Sequence, residues 1–323
     1  MTGRQPKRAL PGVWLAWTAM QVAASAQPAA VPPSPAAWPE VRTDLVVTTT
    51  WLAAHQRDPA VVIVHVARDR AGYDAQHICG AQFLPLGDVA VTRAGIPNEM
   101  PDPDALRAVF EHLGVGDASR VVLYGDNQGM YAARAFVALD YLGRRDRAAL
   151  LDGGLEQWKA EERPTCGKDD VVTRAPGHLT IEPRPGMIVT MSEVKQALAT
   201  ASPPIVLVDA RPPKEYSGEE PGENVPRPGH IPGAKNVYWQ QALESREHPV
   251  FKSPDQVRKL YEAAGITPET PVVVYCRTGV QASHGYFTLT WLGLEPRLYD
   301  GSFIEWSRAE GTKVDGPRAG QGP

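Results

Sequence analysis

The residue best placed for chemistry is Cys276, one of three cysteines with Cys79 and Cys166. It follows the apolar run Val272-Val273-Val274-Tyr275 and opens the stretch Cys276-Arg277-Thr278-Gly279-Val280-Gln281-Ala282-Ser283. The run reads as a buried strand, Gly279 lets the chain turn back tightly, and a helix begins straight afterwards. A sulfur held there faces successive backbone N–H groups and the free N–H groups of the helix's first turn. Their partial positive charge is expected to lower the thiol pKa and to hold an anion. With the Arg277 guanidinium adjacent, the pattern points to a thiolate nucleophile and covalent catalysis rather than to an inert cysteine ending a strand.

The elements that must position this loop occur twice. Leu106, Arg107, Phe110, Glu111, Gly114 and Val115 match Val257, Arg258, Tyr261, Glu262, Gly265 and Ile266 in type and spacing. The same offset carries Val121-Val122-Leu123-Tyr124 onto Val272-Val273-Val274-Tyr275. His77-Ile78-Cys79-Gly80-Ala81 mirrors His230-Ile231-Pro232-Gly233-Ala234, and Leu151-Asp152-Gly153-Gly154 up to Trp158 mirrors Tyr299-Asp300-Gly301-Ser302 up to Trp306. Two copies of one domain follow, too few for a solenoid. Val61–Val64 and Ile205–Val208 add further short β-branched runs, with helical stretches such as 255–264 and 280–292 between them. Alternating strands and helices predict an α/β fold, each copy a small parallel sheet flanked by helices with its own core.

On these residues the chain resembles the rhodanese family. The loop Cys276-Arg277-Thr278-Gly279-Val280-Gln281 looks like its six-residue active-site loop. Asp209-Ala210-Arg211, Gly229 to Ala234 and Tyr299 to Trp306 are similar to its other signatures. The resemblance covers roughly residues 44 to 310 and implies two tandem rhodanese-like domains, as in thiosulfate and 3-mercaptopyruvate sulfurtransferases. It implies that Cys276 takes a sulfane sulfur, keeps it as a persulfide and passes it to cyanide or a thiol, with the amides from Arg277 to Gln281 stabilising the charge. No metal or organic cofactor is implied. Arg277 after the cysteine is similar to the thiosulfate enzymes and suits an anionic donor. Thr278, where vertebrate-type enzymes carry Lys, and Glu215, where they carry Arg, look more like the bacterial thiosulfate branch. Alternatives are 3-mercaptopyruvate as donor, or a persulfide relay to a thiol-bearing protein without small-molecule turnover. A Cys-based phosphatase or arsenate reductase would need Arg where this chain has Ala282.

Other candidates carry supporting roles. Arg211 either faces the pocket, where it would bind substrate or persulfide, or binds Asp209 and loop carbonyls. Asp209 reads as an anchor of the loop, and His230, like His77, as a residue that orders a turn. Asp300 reads as a cap before the last helix, and His284 as a packing or surface residue. In the first copy Gly125 stands where Cys276 stands in the second, and Asp126-Asn127-Gln128-Gly129 makes the loop one residue longer. That copy has no nucleophile, is expected to be catalytically silent, and by the resemblance walls one side of the cleft. Cys79 and Cys166 either pair with each other or stay reduced.

Net charge at pH 7 is −4 with no long run of one sign, which gives no support for a nucleic-acid or anionic-membrane surface. Residues 1–26 read as a secretory leader: Arg4, Lys7 and Arg8, an apolar stretch from Leu10 to about Ala24, then Ala24-Ser25-Ala26 as a cleavage site. The apolar stretch is short for a spanning helix, so a cleaved leader is favoured over a retained anchor. Losing its three positive charges takes the chain to about −7. The expected organisation is a leader (1–26), a Pro/Ala-rich tether (27–43), a silent domain (44–165), a linker (166–185), a catalytic domain (186–312) and a flexible tail (313–323). The expected setting is the bacterial periplasm. The expected state is a monomer, free of the membrane once cleaved, whose partners are a small-molecule sulfur donor and acceptor.

Overall fold

The computed structural model describes residues 1–3, 12, 37–200 and 205–316. The leader expected over 1–26 and the tether up to residue 36 lie almost entirely outside the described residues. The first copy runs β1 (Val46–Val47), α1 (Thr49–His55), β2 (Val61–Ala67), α2 (Ala71–Ala75), β3 (His77–Ile78), β4 (Gln82–Pro85), β5 (Val91–Arg93), β6 (Ile96–Glu99), α3 (Pro103–His112), β7 (Arg120–Gly125), α4 (Met130–Tyr141), β8 (Ala148–Leu151), α5 (Gly154–Ala160) and β9 (Thr165–Cys166). The second runs β10 (Ile188–Val189), α6 (Met191–Ala199), β11 (Val206–Asp209), α7 (Pro213–Ser217), β12 (Lys235–Asn236), α8 (Pro254–Ala263), β13 (Val272–Tyr275), α9 (Val280–Trp291), β14 (Arg297–Tyr299) and α10 (Ser302–Arg308).

The two principal sheets have the same topology. The first is ordered β1-β8-β7-β2-β4 and the second β10-β14-β13-β11-β12. Every pairing within them is parallel. The central strands β2, β7 and β13 are almost wholly buried, as β-branched runs covered by helices on both faces must be. Several helix starts are written locally. Thr190 with Glu193 and Ser253 with Gln256 form reciprocal capping boxes at α6 and α8.

The copies do not keep wholly separate cores, contrary to expectation. Helices α4 and α9 are apolar nearly all round and are buried along most of their length. They face each other across the pseudo-repeat, with Phe136 and Phe287 in edge-to-face contact at 4.8 Å. Their residues join one cluster spanning both copies, while the outer face of each sheet keeps a smaller cluster of its own. A helix that is hydrophobic on every side needs burial on every side, and the facing copy supplies it.

Segments expected to be loose prove to be tied down where they are described. Trp38 donates its indole N–H to Glu262, and Arg42 N donates to the Trp291 carbonyl, so residues 38–42 strap the second copy before the chain enters the first. Lys313 accepts from the Trp306 indole, and Asp315 pairs with His230 by two backbone hydrogen bonds, so residues 313–315 extend the second copy instead of fraying. The linker packs on the first copy: Leu179 is buried, and Gly177 lies so close to Val115 that a Cβ would be 2.1 Å from its carbonyl oxygen. Cys79 and Cys166 form a disulfide, which resolves the open alternative and joins the linker's start to the loop after β3.

Candidate active site

Strand β13 delivers Cys276 to the carboxyl end of the second sheet, where ligands bind in open α/β folds. The thiol is unpaired and 1% exposed. Gly279 has φ 89° and its amide donates to Cys276 Sγ at 3.1 Å. Two amides at the start of α10 hold the loop from outside: Phe303 N donates to the Cys276 carbonyl at 2.9 Å and Ile304 N to the Arg277 carbonyl at 3.0 Å. With those carbonyls committed to α10, the peptide units of the loop are fixed in orientation before any substrate arrives. Ser302 Oγ accepts from Cys276 N at 3.2 Å and completes the clasp.

The thiol itself departs from expectation. Burial pushes its pKa above the ordinary cysteine value, and the Asp209 carboxylate adds to the rise. The amides of Ala282, Thr278 and Gly279 act in the expected direction but do not overcome desolvation. The thiol therefore holds its proton more tightly than an ordinary cysteine does, with donors already aimed at the sulfur for when charge appears there.

The expected site residues divide into three groups. The amides of Thr278 and Gly279 reach the sulfur, Val280 is buried at the start of α9, and Arg277, Thr278 and Gln281 keep part-exposed side chains. Arg211 is placed by its second alternative. Its guanidinium is buried, binds both oxygens of Asp209 and the Gly229 carbonyl, and lies 4.1 Å from the Phe303 ring centroid. As a substrate ligand Arg211 is thus corrected to a strut, because a buried arginine beside a buried carboxylate is held by that carboxylate. Asp209 anchors it, and Asn236 donates to the carbonyls of both residues. His230 stacks on Tyr216 at 3.7 Å and its Nδ1 contacts the Tyr216 carbonyl, as His77 does with Tyr73. Both histidines order turns and neither reaches the sulfur loop by any hydrogen bond among the described residues. His284 is buried against Phe251 and Trp239, and desolvation takes its pKa down to about 3, so it is a neutral packing residue.

Residues of the first copy complete the site, and sequence reasoning missed them. Asn98, in β6 with φ 62°, donates to Thr278 Oγ1 at 2.9 Å. Arg134, on α4 and fully buried, donates to the Asn98 carbonyl at 2.7 Å and to Asp300 at 2.6 Å. Asp300 is therefore not a simple turn cap but the buried partner of Arg134, and it also accepts from Met100 N. A Cβ at Gly279 would lie 2.6 Å from Asp300 Oδ1, so only glycine fits beneath the loop. One signal was present: an arginine in the middle of the apolar helix α4 requires a buried partner. Nothing local names that partner.

The first copy lacks a cysteine at the matching position, and its backbone leaves little room for a side chain there. A Cβ at Gly125 would lie 2.4 Å from the Val66 carbonyl oxygen. The longer loop that follows carries Asn127 and Gln128 at positive φ, and its Asp126 contacts buried His65 at 3.2 Å. Gln128 meets Gln240 of the second copy at 2.5 Å, so this loop forms part of the wall between the copies. Among the described residues no group of three or more His, Cys, Asp or Glu is arranged to hold a metal ion, and no helix is long and apolar enough to cross a membrane.

Comparison with known proteins adds the following. The model of the rhodanese-like domain matches residues 48–161 and again 190–309. The chain is 34% identical over 285 residues to "Sulfur carrier protein TtuD" of Thermus thermophilus, covering 84% of this chain and 96% of that protein. It is 33% identical over 282 residues to "Putative thiosulfate sulfurtransferase" of Mycolicibacterium smegmatis, covering 85% and 98%. Among solved structures, the 3-mercaptopyruvate sulfurtransferase SseA of Escherichia coli superposes with a TM-score of 0.70 at 25% identity, over 80% of this chain and 98% of that one.

Proposed function

The chain belongs to the rhodanese-like family, as two domain copies in tandem, and from that premise we propose that it moves a sulfane sulfur from thiosulfate to a thiophilic acceptor through a persulfide on Cys276. The observation that carries this reading is the single unpaired cysteine held under an amide-lined loop, with a guanidinium-bearing residue next to it. In the first half-reaction the Cys276 thiol gives up its proton to solvent, and the thiolate attacks the outer sulfur of thiosulfate. A new S–S bond forms, the old one breaks, and sulfite leaves with its electron pair. In the second, the acceptor attacks the terminal persulfide sulfur. With cyanide, thiocyanate leaves and the thiolate returns. The charge of the persulfide falls where the Gly279, Thr278 and Ala282 amides already point. Arg277, next to Cys276 in the chain, carries a guanidinium that suits the sulfonate end of the donor.

Intact mass after thiosulfate exposure tests the reading directly. A gain of one sulfur atom is expected on the wild-type chain and none on Cys276→Ser. Sulfur uptake by the serine variant would sink it. A second reading, persulfide relay to a protein thiol, draws support from the relative named a sulfur carrier. It predicts stable loading with negligible turnover on cyanide.

We further propose that the protein is exported to an oxidising compartment such as the bacterial periplasm. The Cys79–Cys166 bond supports this, since such bonds persist where thiols are not kept reduced. N-terminal sequencing of the mature protein should begin near Gln27, and a chain still starting at Met1 in the cytosol would count against export.

A further inference from the structure

Glu215 stands on α7, directly after the Asp209–Arg211 strut, with its side chain half-buried. No protein group donates to its buried Oε2. A Cβ at Gly222 would lie 2.7 Å from Arg277 Cδ, 2.8 Å from Glu215 Oε2 and 3.4 Å from Arg277 Nη1. The carboxylate and the guanidinium therefore share one small space at the end of the sulfur loop, both packed against Gly222. We propose that Glu215 selects donors by charge at this mouth: as a carboxylate it competes for Arg277 and disfavours anionic sulfur donors, and as a neutral acid it yields Arg277 to them.

The surroundings favour Arg277 as the partner. Arg211, the other cation acting on Glu215, is held by Asp209. Glu220 acts on Glu215 from the following turn but is engaged by Lys214 at 2.7 Å. Asp209 also acts on Glu215 by charge, against its ionisation, and Tyr238 lies within reach of the charges of both Glu215 and Arg246. Burial drives the Glu215 pKa above its ordinary value, against the pull of Arg277 and Arg211. Its titration is thereby moved upward in pH, and the change in its charge alters the preference among donors.

The inference rests on Cys276 chemistry with thiosulfate, and the test separates the two. The ratio of kcat/KM for donor consumption, Glu215→Gln over wild type, is measured with thiosulfate from about pH 5 to about pH 9. The Cys276 titration is common to both proteins and cancels in the ratio. The expected ratio is smallest at the acid end and rises to about tenfold at the alkaline end, because one nearby negative charge is removed. A monoanionic aryl thiosulfonate should show a smaller rise than dianionic thiosulfate, and Glu215→Ala should rise as Gln does. A ratio flat with pH, or equal for the two donors, overturns the proposal. If wild type takes no sulfur from thiosulfate at any pH, the thiosulfate reading fails. The ratio with the aryl thiosulfonate then decides on Glu215 by itself, a pH-dependent rise supporting the role and a flat ratio rejecting it.

Discussion

Burial and backbone dipoles pull the Cys276 thiol in opposite directions, and burial prevails in the free protein. The amides around the sulfur do not ionise it beforehand. They lower the cost of charge as it develops on the thiolate and then on the persulfide. A consequence is a steep pH dependence of reactivity. Alkylation of Cys276 by iodoacetamide should be slow at neutral pH and accelerate about tenfold per pH unit past the range where an ordinary thiol has levelled off. The sign follows from the raised pKa, since the reactive thiolate becomes populated only as pH climbs toward it. Cys79 and Cys166 are bonded to each other and stay out of the measurement. A rate that levels off below about pH 8 would contradict the raised pKa.

The loop between a central strand and the following helix is the same device in both copies, with opposite outcomes. Helices α4 and α9 each start after a left-handed glycine, Gly129 at φ 80° and Gly279 at φ 89°. In the second copy the strand ends on a residue with a side chain, and in the first it ends on Gly125, packed against the Val66 carbonyl. Restoring the nucleophile there should fail. In a Cys276→Ser background, Gly125→Cys is expected to take up no sulfur and to lose about 1–3 kcal/mol of stability through overpacking. Intact mass and denaturant unfolding check the two halves of that statement. Sulfur uptake with unchanged stability would mean that the silent loop had lost only its thiol. The α9 start, the repeat offset and the missing nucleophile were all legible in the sequence, because each depends on residues close together along the chain.

At the scale of the whole molecule, the first copy is structurally part of the Cys276 site. Arg134 links α4 to Asn98, which holds Thr278, and to Asp300, which underlies Gly279. Truncating Arg134 to Ala leaves the Asp300 carboxylate buried without its cation and should destabilise the protein by about 3–5 kcal/mol. Replacing both partners by apolar residues should recover much of that stability but not the sulfur-transfer rate, since Asn98 loses its carbonyl's partner in either case. Unfolding free energy and kcat/KM measured side by side for the single and double variants test this. Full activity in the double variant would reduce the Arg134 contact to a matter of stability. The common core of α4 and α9 further predicts that the two copies melt together in this experiment.

By itself, the sequence determined the repeat, the α/β class, the loop that carries Cys276 and the vacancy at Gly125, because strand runs, glycine turns and residue order are local properties. Tertiary structure alone decided the thiol's ionisation, the strut role of Arg211, the pairing of Cys79 with Cys166 and the reach of Asn98 and Arg134 into the second copy. Those outcomes depend on desolvation and on partners far apart in the chain: 87 residues between the bonded cysteines, 166 between Arg134 and Asp300, and 180 between Asn98 and Thr278. No local pattern encodes the distance or the dielectric between such pairs, and packing the two copies through α4 and α9 sets both.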